Sequence, residues 1–450
     1  MSQKMLSHPK KMTFRELFKK GDLPTKLSFL FMGTANLCNK QIPKGLLFLG
    51  SEILFFFWLI RNGVTALAML QTLGTKKQGL VYNEDLGIEV LQKGDNSMLI
   101  LLFGIAAILT CAMMIYLYIV NLKSARKLYE LKQENKPIPT TRDDLRSLLN
   151  ERFHATLMTI PLLGVLLFTI LPLLYMISIA FTNYDHNHLP PKQLFTWVAF
   201  KNFGNVITGD MASTFFPVLV WTLVWAVMAT VTCFIFGVIL ALLINTKGIK
   251  GKKIWRTLFV LTMAVPQFVS LLIMRNLLND AGPINSTLMN LGIIKSALPF
   301  LTDPTLAKFS IIFVNMWIGI PVTMIITTGI LQNLPTDQIE AARIDGANSF
   351  QIFRSITFPQ ILFVMMPSLI QQLVGNINNF NVIYLLTGGG PSNSDFYGAG
   401  STDLLVTWLY KLTVDTMDYN LASVIGILIF ILSAVFSLAA YTRTNSFKEG

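Results

Sequence analysis

The chain has 450 residues, of which 53% are hydrophobic and only 13% charged, with a mean hydropathy of +0.56. Repeated apolar runs of about 20 residues, the length a bilayer core demands of a helix, exclude a soluble protein of this size. The net charge of +12 follows from membrane topology, which concentrates Lys and Arg on one side, so no nucleic-acid partner is inferred from it.

Residues 1–44 are polar and basic, and the short apolar patch Leu27 to Met32 suits an interfacial helix rather than a span. No small-residue cleavage site follows a short apolar core, so no removable signal peptide is expected. The first span runs from Gly45 to Ile60, with a possible tilted continuation to Leu70, and contains Glu52. A charge at mid-bilayer costs about 2.5 to 3.5 kcal/mol, so Glu52 is expected to face the bundle or meet a partner, and it is assigned no role. Further spans are predicted at Ser97 to Val120, Leu157 to Phe181, Phe216 to Asn245, Trp255 to Ile273, Phe309 to Leu331, Ile361 to Thr387 and Leu421 to Tyr441, eight in all. The expected fold class is thus all-α and polytopic, with three parts: the segment 1–44, spans one and two with a polar hairpin at 45–154, and a core of six spans at 155–445.

An even number of spans puts both termini on one side. The N-terminal segment, the 121–154 hairpin, the 245–256 loop, the 335–359 loop and the C-terminal tail together hold 26 of the 36 Lys and Arg residues. That side is expected to be cytoplasmic. Cys38, Cys111 and Cys233 lie far apart without metal-ligand spacing and read as small packing residues. The His186-x-His188 pair in the 182–213 loop lacks further ligands nearby, so no metal and no cofactor is predicted. No GxxxxGK[ST] loop is present, so ATP hydrolysis would require another subunit and the chain is not expected to be an enzyme.

Two stretches carry the functional signal. In the first, Pro335 to Pro359, Pro335 suits the first turn of a helix, Gly346 supplies a stop, and Ser349 can cap a second helix, Gln351 to Ile356, that Pro359 separates from the next span. Ala341 and Ala342 leave one face of the first helix almost without bulk, a surface on which another protein can dock. In the second, Gln372, Asn376 and Asn379 fall at i, i+4 and i+7, one face of a helix, and Asn315, Gly319 and Val322 share that spacing in the preceding span, with Trp317 beside them. Amides at membrane depth either bond neighbouring helices or line a wet cavity. Without Asp, Lys or Arg, these stripes suit an uncharged, hydroxyl-rich ligand such as a sugar.

Glu340-Ala341-Ala342, Asp345-Gly346, Ile356 and Phe358-Pro359 resemble the EAA motif of ABC-importer permeases, with Phe358 where the family more often has Leu. Residues 155–450 are similar to the larger permease subunit of the maltose/maltodextrin importer, on Leu386 to Pro391 (LTGGGP), Thr402 to Val406 (TDLLV), Val314 to Pro321 (VNMWIGIP) and Ala264 to Phe268 (AVPQF). The resemblance implies a type I importer fold and places the sugar-contacting positions at Asn315, Ile318, Gly319, Val322, Gln372, Gly375, Asn376 and Asn379. Val322 and Gly375 stand where the best-known member has aromatics, and Gln372 where it has a small hydroxyl residue. It also implies a second permease, two ATP-binding subunits docked on the 335–359 loop, an extracytoplasmic solute-binding protein, an oligosaccharide substrate and a bacterial plasma-membrane location. The rival expectation, a proton- or ion-coupled secondary carrier, is opposed by the scarcity of intramembrane carboxylates.

Overall fold

The structure, a computed structural model, describes residues 12–83, 87–246 and 248–442. It divides into two compact units, Met1–Trp197 and Val198–Gly450, each of which has its own logic.

In the first unit three short helices, Phe14–Lys20, Leu23–Leu27 and Thr34–Cys38, precede the first span. The first opens on a capping box in which Thr13 and Glu16 satisfy each other's backbone amides. The first span is one helical run, Ile42–Thr72, with a π-turn at Leu59–Gly63, so the longer of the two expected extents holds. Glu52 is 9% exposed and its Oε2 accepts the Met32 backbone N–H at 2.7 Å. Asn121 accepts the Gly33 N–H and donates to Ser28 O, while the Tyr118 hydroxyl donates to Phe29 O. The apolar patch at Leu27 to Met32 is therefore a turn pinned by three polar side chains, whose burial is tolerable because each finds a backbone partner. Beyond the span a two-stranded antiparallel hairpin, β1 (Gly79–Asn83) and β2 (Ile88–Gln92), adds a β element to the all-α expectation. The second span, Ser97–Gln133, starts on an Asn96 cap and runs well past its apolar part. The third is Phe153–Ile179.

The second unit holds the fourth span Ala212–Asn245, the sixth Pro304–Gln332, the seventh Ser349–Ile377 and the eighth, Tyr419–Ala440. The fifth is not the straight helix expected over Trp255 to Ile273. It breaks into Lys252–Ala264 and Gln267–Leu277, bent by 92°, because Pro266 removes a backbone donor and forces Val265 out of the helical region. Among the described residues seven helices are long and apolar enough to cross a membrane, or eight with the broken pair counted as one. The core gathers Trp221, Trp225, Leu271, Ile311, Val314 and Val382, and each indole N–H is used: Trp221 donates to Thr402 O and Trp225 to Asn376 O.

The LTGGGP and TDLLV segments form one knot at one end of this core. Thr402 bonds Thr387 and Gly390 O, and the fully buried Asp403 pairs with Lys411 at 2.6 Å and accepts the Gly400 N–H. Gly389 has φ +80° and a Cβ there would run into the Asp403 carboxylate, so only glycine fits. These motifs serve the fold of the unit.

Candidate functional site

All eight positions expected to contact ligand line a single cavity of about 280 Å³, together with Ala229 and Cys233 of the fourth span. The helix geometry differs from the expectation at Asn379. Gln372 and Asn376 share the seventh span, but that helix ends at Ile377, and Asn379 is the N-cap of the next helix, Phe380–Leu386, its Oδ1 accepting the Val382 N–H. A run of two asparagines, Asn378 and Asn379, lets the chain leave the helix and restart with its amides satisfied. Asn379 is brought to the cavity by that break, where its Nδ2 donates to Asn376 Oδ1 at 3.3 Å.

The amides face the cavity, and Asn376 and Asn315 also bond the neighbouring fourth span, whereas Gln372 bonds within its own helix. Asn376 donates to Thr230 Oγ1 at 3.0 Å, Asn315, 7% exposed, approaches Cys233 Sγ at 3.5 Å, and Gln372 reaches Ser368. These bonds hold the carboxamides in place and leave them further donor and acceptor capacity, since each carries two N–H groups and a carbonyl. The lining includes no charged and no aromatic residue. Trp317, expected beside the stripe, instead lines a separate groove with Leu258, Met274 and their neighbours, because it projects from a different side of the sixth span. Phe380, the other aromatic near the amides in sequence, is stacked on Tyr384 with centroids 4.8 Å apart and edge-on to Tyr410.

Cys233, expected as packing material, is indeed buried, but its sulfur forms part of the cavity wall. A Cβ at Gly319 would run into that sulfur. Gly319→Ala is therefore expected to destabilise the purified transporter by about 1–3 kcal/mol, the usual cost of overpacking, and Cys233→Ala in the same chain should restore most of it. Thermal unfolding of the single and double variants checks this, and equal losses in both would show that the two residues do not press on each other. Ala229 and Cys233 escape the sequence reading because the fourth span is apolar on all sides, so no periodicity marks its inward face.

The other site lies between the sixth and seventh spans. The helix Thr336–Ile344 follows Pro335, and Asn348, rather than Ser349, caps the next one through a reciprocal capping box with Gln351. Asn348 wins because its side chain reaches the Gln351 N–H while Gln351 returns the bond. Pro359 does not separate this helix from the span. Ser349–Ile377 is continuous through a π-turn, Phe353–Thr357, and Pro359 stands just after that turn, where the altered bonding ladder accommodates a residue without an N–H. Glu340, Ala341, Asp345 and Gly346 are exposed and Ala342 half-buried. Ile356 and Phe358 are half-buried, with Phe358 set against Phe353 and Phe234, and Gln360 donates to Gln338 at 2.8 Å, tying the loop helix to the span. Two further residues emerge only here: Ile344, 86% exposed, and Phe350, 68% exposed, present apolar surface on either side of the turn. Apolar side chains inside an otherwise polar island are the signal that points to them.

A bundle of spans with an uncharged amide-lined cavity and a projecting helix-turn-helix of this kind defines a membrane permease. Residues 233–446 match the family described as binding-protein-dependent transport system inner membrane component. The chain is 37% identical over 427 residues to the maltodextrin transport system permease protein MdxF of Bacillus subtilis, covering 92% of this chain and 94% of that one. It is 36% identical to the galactooligosaccharides transport system permease protein GanP of the same organism, covering 93% and 96%. A chain from the crystal structure of a bacterial ABC transporter involved in alginate import superposes with a TM-score of 0.53 at 21% identity, covering 66% of this chain and 96% of that one, a likeness of fold. The chain belongs to the family of ABC-importer permease subunits, multi-pass membrane components that are not themselves catalytic. The secondary-carrier alternative finds no support among these relatives.

Proposed function

We propose that this chain passes neutral oligosaccharides of the maltodextrin type by alternating access, as one half of a heterodimeric pore. The observation that carries the reading is the convergence of Asn315, Gln372, Asn376 and Asn379 on one cavity whose lining bears no charge. Carboxamides offer paired donors and acceptors that match sugar hydroxyls, and an acidic polysaccharide would call for a cation that this wall lacks. Ile318, Gly319, Val322 and Gly375 complete the contact surface. The names of the full-length relatives, one for maltodextrin and one for galactooligosaccharides, support the same chemical class.

Energy comes from two ATP-binding subunits seated on the loop around Glu340, Ala341, Ala342, Asp345 and Gly346, and substrate is delivered by an extracytoplasmic solute-binding protein. Ile356, Phe358 and Pro359 join that loop to the seventh span, so movement of the loop is transmitted to the helix that carries Gln372, Gly375 and Asn376. Both termini and the loop face the cytoplasm, in accord with the uneven distribution of Lys and Arg.

Uptake into vesicles holding the complete transporter tests this. Accumulation of labelled maltodextrin should require ATP and the binding protein and should be competed by neutral α-glucans more strongly than by galactooligosaccharides. Accumulation driven by a proton gradient without ATP would overturn the mechanism, and preference for galactooligosaccharides would overturn the substrate.

A further inference from the structure

The hairpin that follows the second span carries a cavity with a different chemistry. Its volume is about 320 Å³, and Lys44, Lys123, Lys127 and Arg152 line it beside Gln41, Ser124 and a single carboxylate, Asp144. Asp144 is already engaged by Lys44 at 3.2 Å. Among the described residues no carboxylate pairs with Lys123, Lys127 or Arg152. Three exposed cations thus line one cavity without a carboxylate paired to any of them, so their combined positive potential favours an anion there.

The rest of the wall indicates which anion. Lys123 and Lys127 are one turn apart on one face of the Ser97–Gln133 helix, immediately after its apolar stretch ends at Val120. Val120, Leu128 and Leu131 supply the apolar part of the lining. On the other side Lys44 stands at the start of the first span. The cations therefore sit at the depth where a bilayer's apolar core gives way to its headgroups. The polar floor is hydrogen-bonded: Gln41, 2% exposed, donates to Pro139 O at 2.8 Å and accepts from Asn36, which also bonds Ser124.

We propose that this cavity binds the phosphate-bearing headgroup of an anionic glycerophospholipid, of the phosphatidylglycerol type, in the leaflet that meets the lysine-rich side. Basic pockets between membrane helices attract such headgroups, each nearby cation contributing roughly 1 kcal/mol. The apolar wall favours a lipid over a free anion, because a soluble phosphate gains nothing from Val120, Leu128 and Leu131.

The experiment uses the complete transporter in vesicles of mixed phosphatidylglycerol and phosphatidylcholine, with spin-labelled forms of each as probes. Wild type should hold phosphatidylglycerol in preference to phosphatidylcholine. In the Lys123→Gln, Lys127→Gln, Arg152→Gln triple variant that preference should fall about fivefold per charge removed, and Lys123→Arg with Lys127→Arg should keep it. Thermal unfolding of each variant verifies that it is folded. Undiminished selectivity in a folded triple variant overturns the proposal, and so does displacement of the labelled lipid by excess inorganic phosphate, which would make this a site for a soluble anion.

Discussion

Gly346→Val is expected to leave the protein in the membrane and to cut substrate-stimulated ATP hydrolysis by the assembled transporter at least about fivefold. The helix Thr336–Ile344 ends with Gly346 N–H bonded to Arg343 O and Ala347 N–H bonded to Ala342 O, the paired bonds of a Schellman termination, which demands a left-handed residue. Gly346 supplies it at φ +83°, and a Cβ there would meet nothing within 4 Å. The effect of a side chain is consequently backbone strain alone, about 1–2 kcal/mol, and more for a branched one. If the strain is relieved by leaving this turn, the population of correctly aimed loop falls by about five- to thirtyfold. Asn tolerates the left-handed region, so Gly346→Asn should retain substantial coupling. The measurement is ATPase activity with and without substrate-loaded binding protein, and normal stimulation in Gly346→Val would sink the role given to this turn.

Gly375→Phe is expected to shift the substrate range toward shorter chains. Gly375 lines the cavity, and a Cβ at this position would meet nothing within 4 Å, so a side chain can start into the cavity there without a clash at its first carbon. Val322 is the second position where a related subunit's aromatic is absent, and neither Trp317 nor Phe380 moves in to replace either ring. With both positions small, we expect the wild-type site to accept an oligosaccharide longer or bulkier than a disaccharide. A buried aromatic covers roughly 150–250 Å², so we expect uptake of the longest chains to fall about tenfold relative to maltose, an effect of the size that pocket filling produces. Competitive uptake of a length series by wild type and variant decides it. An unchanged length preference would mean that Gly375 does not contact the sugar.

How much the residues reveal on their own follows from how local each signal is. A span is an uninterrupted stretch of about 20 apolar residues, so the apolar segments are legible, and most boundaries move only by extensions such as 121–133; the exceptions are the fifth, broken at Pro266, and the seventh, expected over Ile361 to Thr387 but running Ser349–Ile377. The helix-turn-helix loop is legible because Pro335, Gly346 and the Ala341-Ala342 pair act on their own turns. Asp345 and Glu340 stand out as charges in a membrane protein. The strands β1 and β2 escape the reading although each is a five-residue run with branched residues, since an exposed hairpin buries no face that would impose an alternating pattern.

By itself, then, the sequence determined the class of molecule, the apolar segments that form the spans, the polar helix-turn-helix between the sixth and seventh of them and the choice of amides over charges, all of which depend on the solvent each residue can tolerate. Tertiary structure alone decided which side of each apolar helix faces inward. A span hydrophobic all round has no periodicity to read, so the entry of Cys233 and Ala229 into the cavity, the departure of Trp317 from it, the 92° corner at Pro266 and the break that delivers Asn379 depend on contacts between segments distant in the chain. The same holds for Glu52 and Asn121, whose partners are backbone groups 20 and 88 residues away.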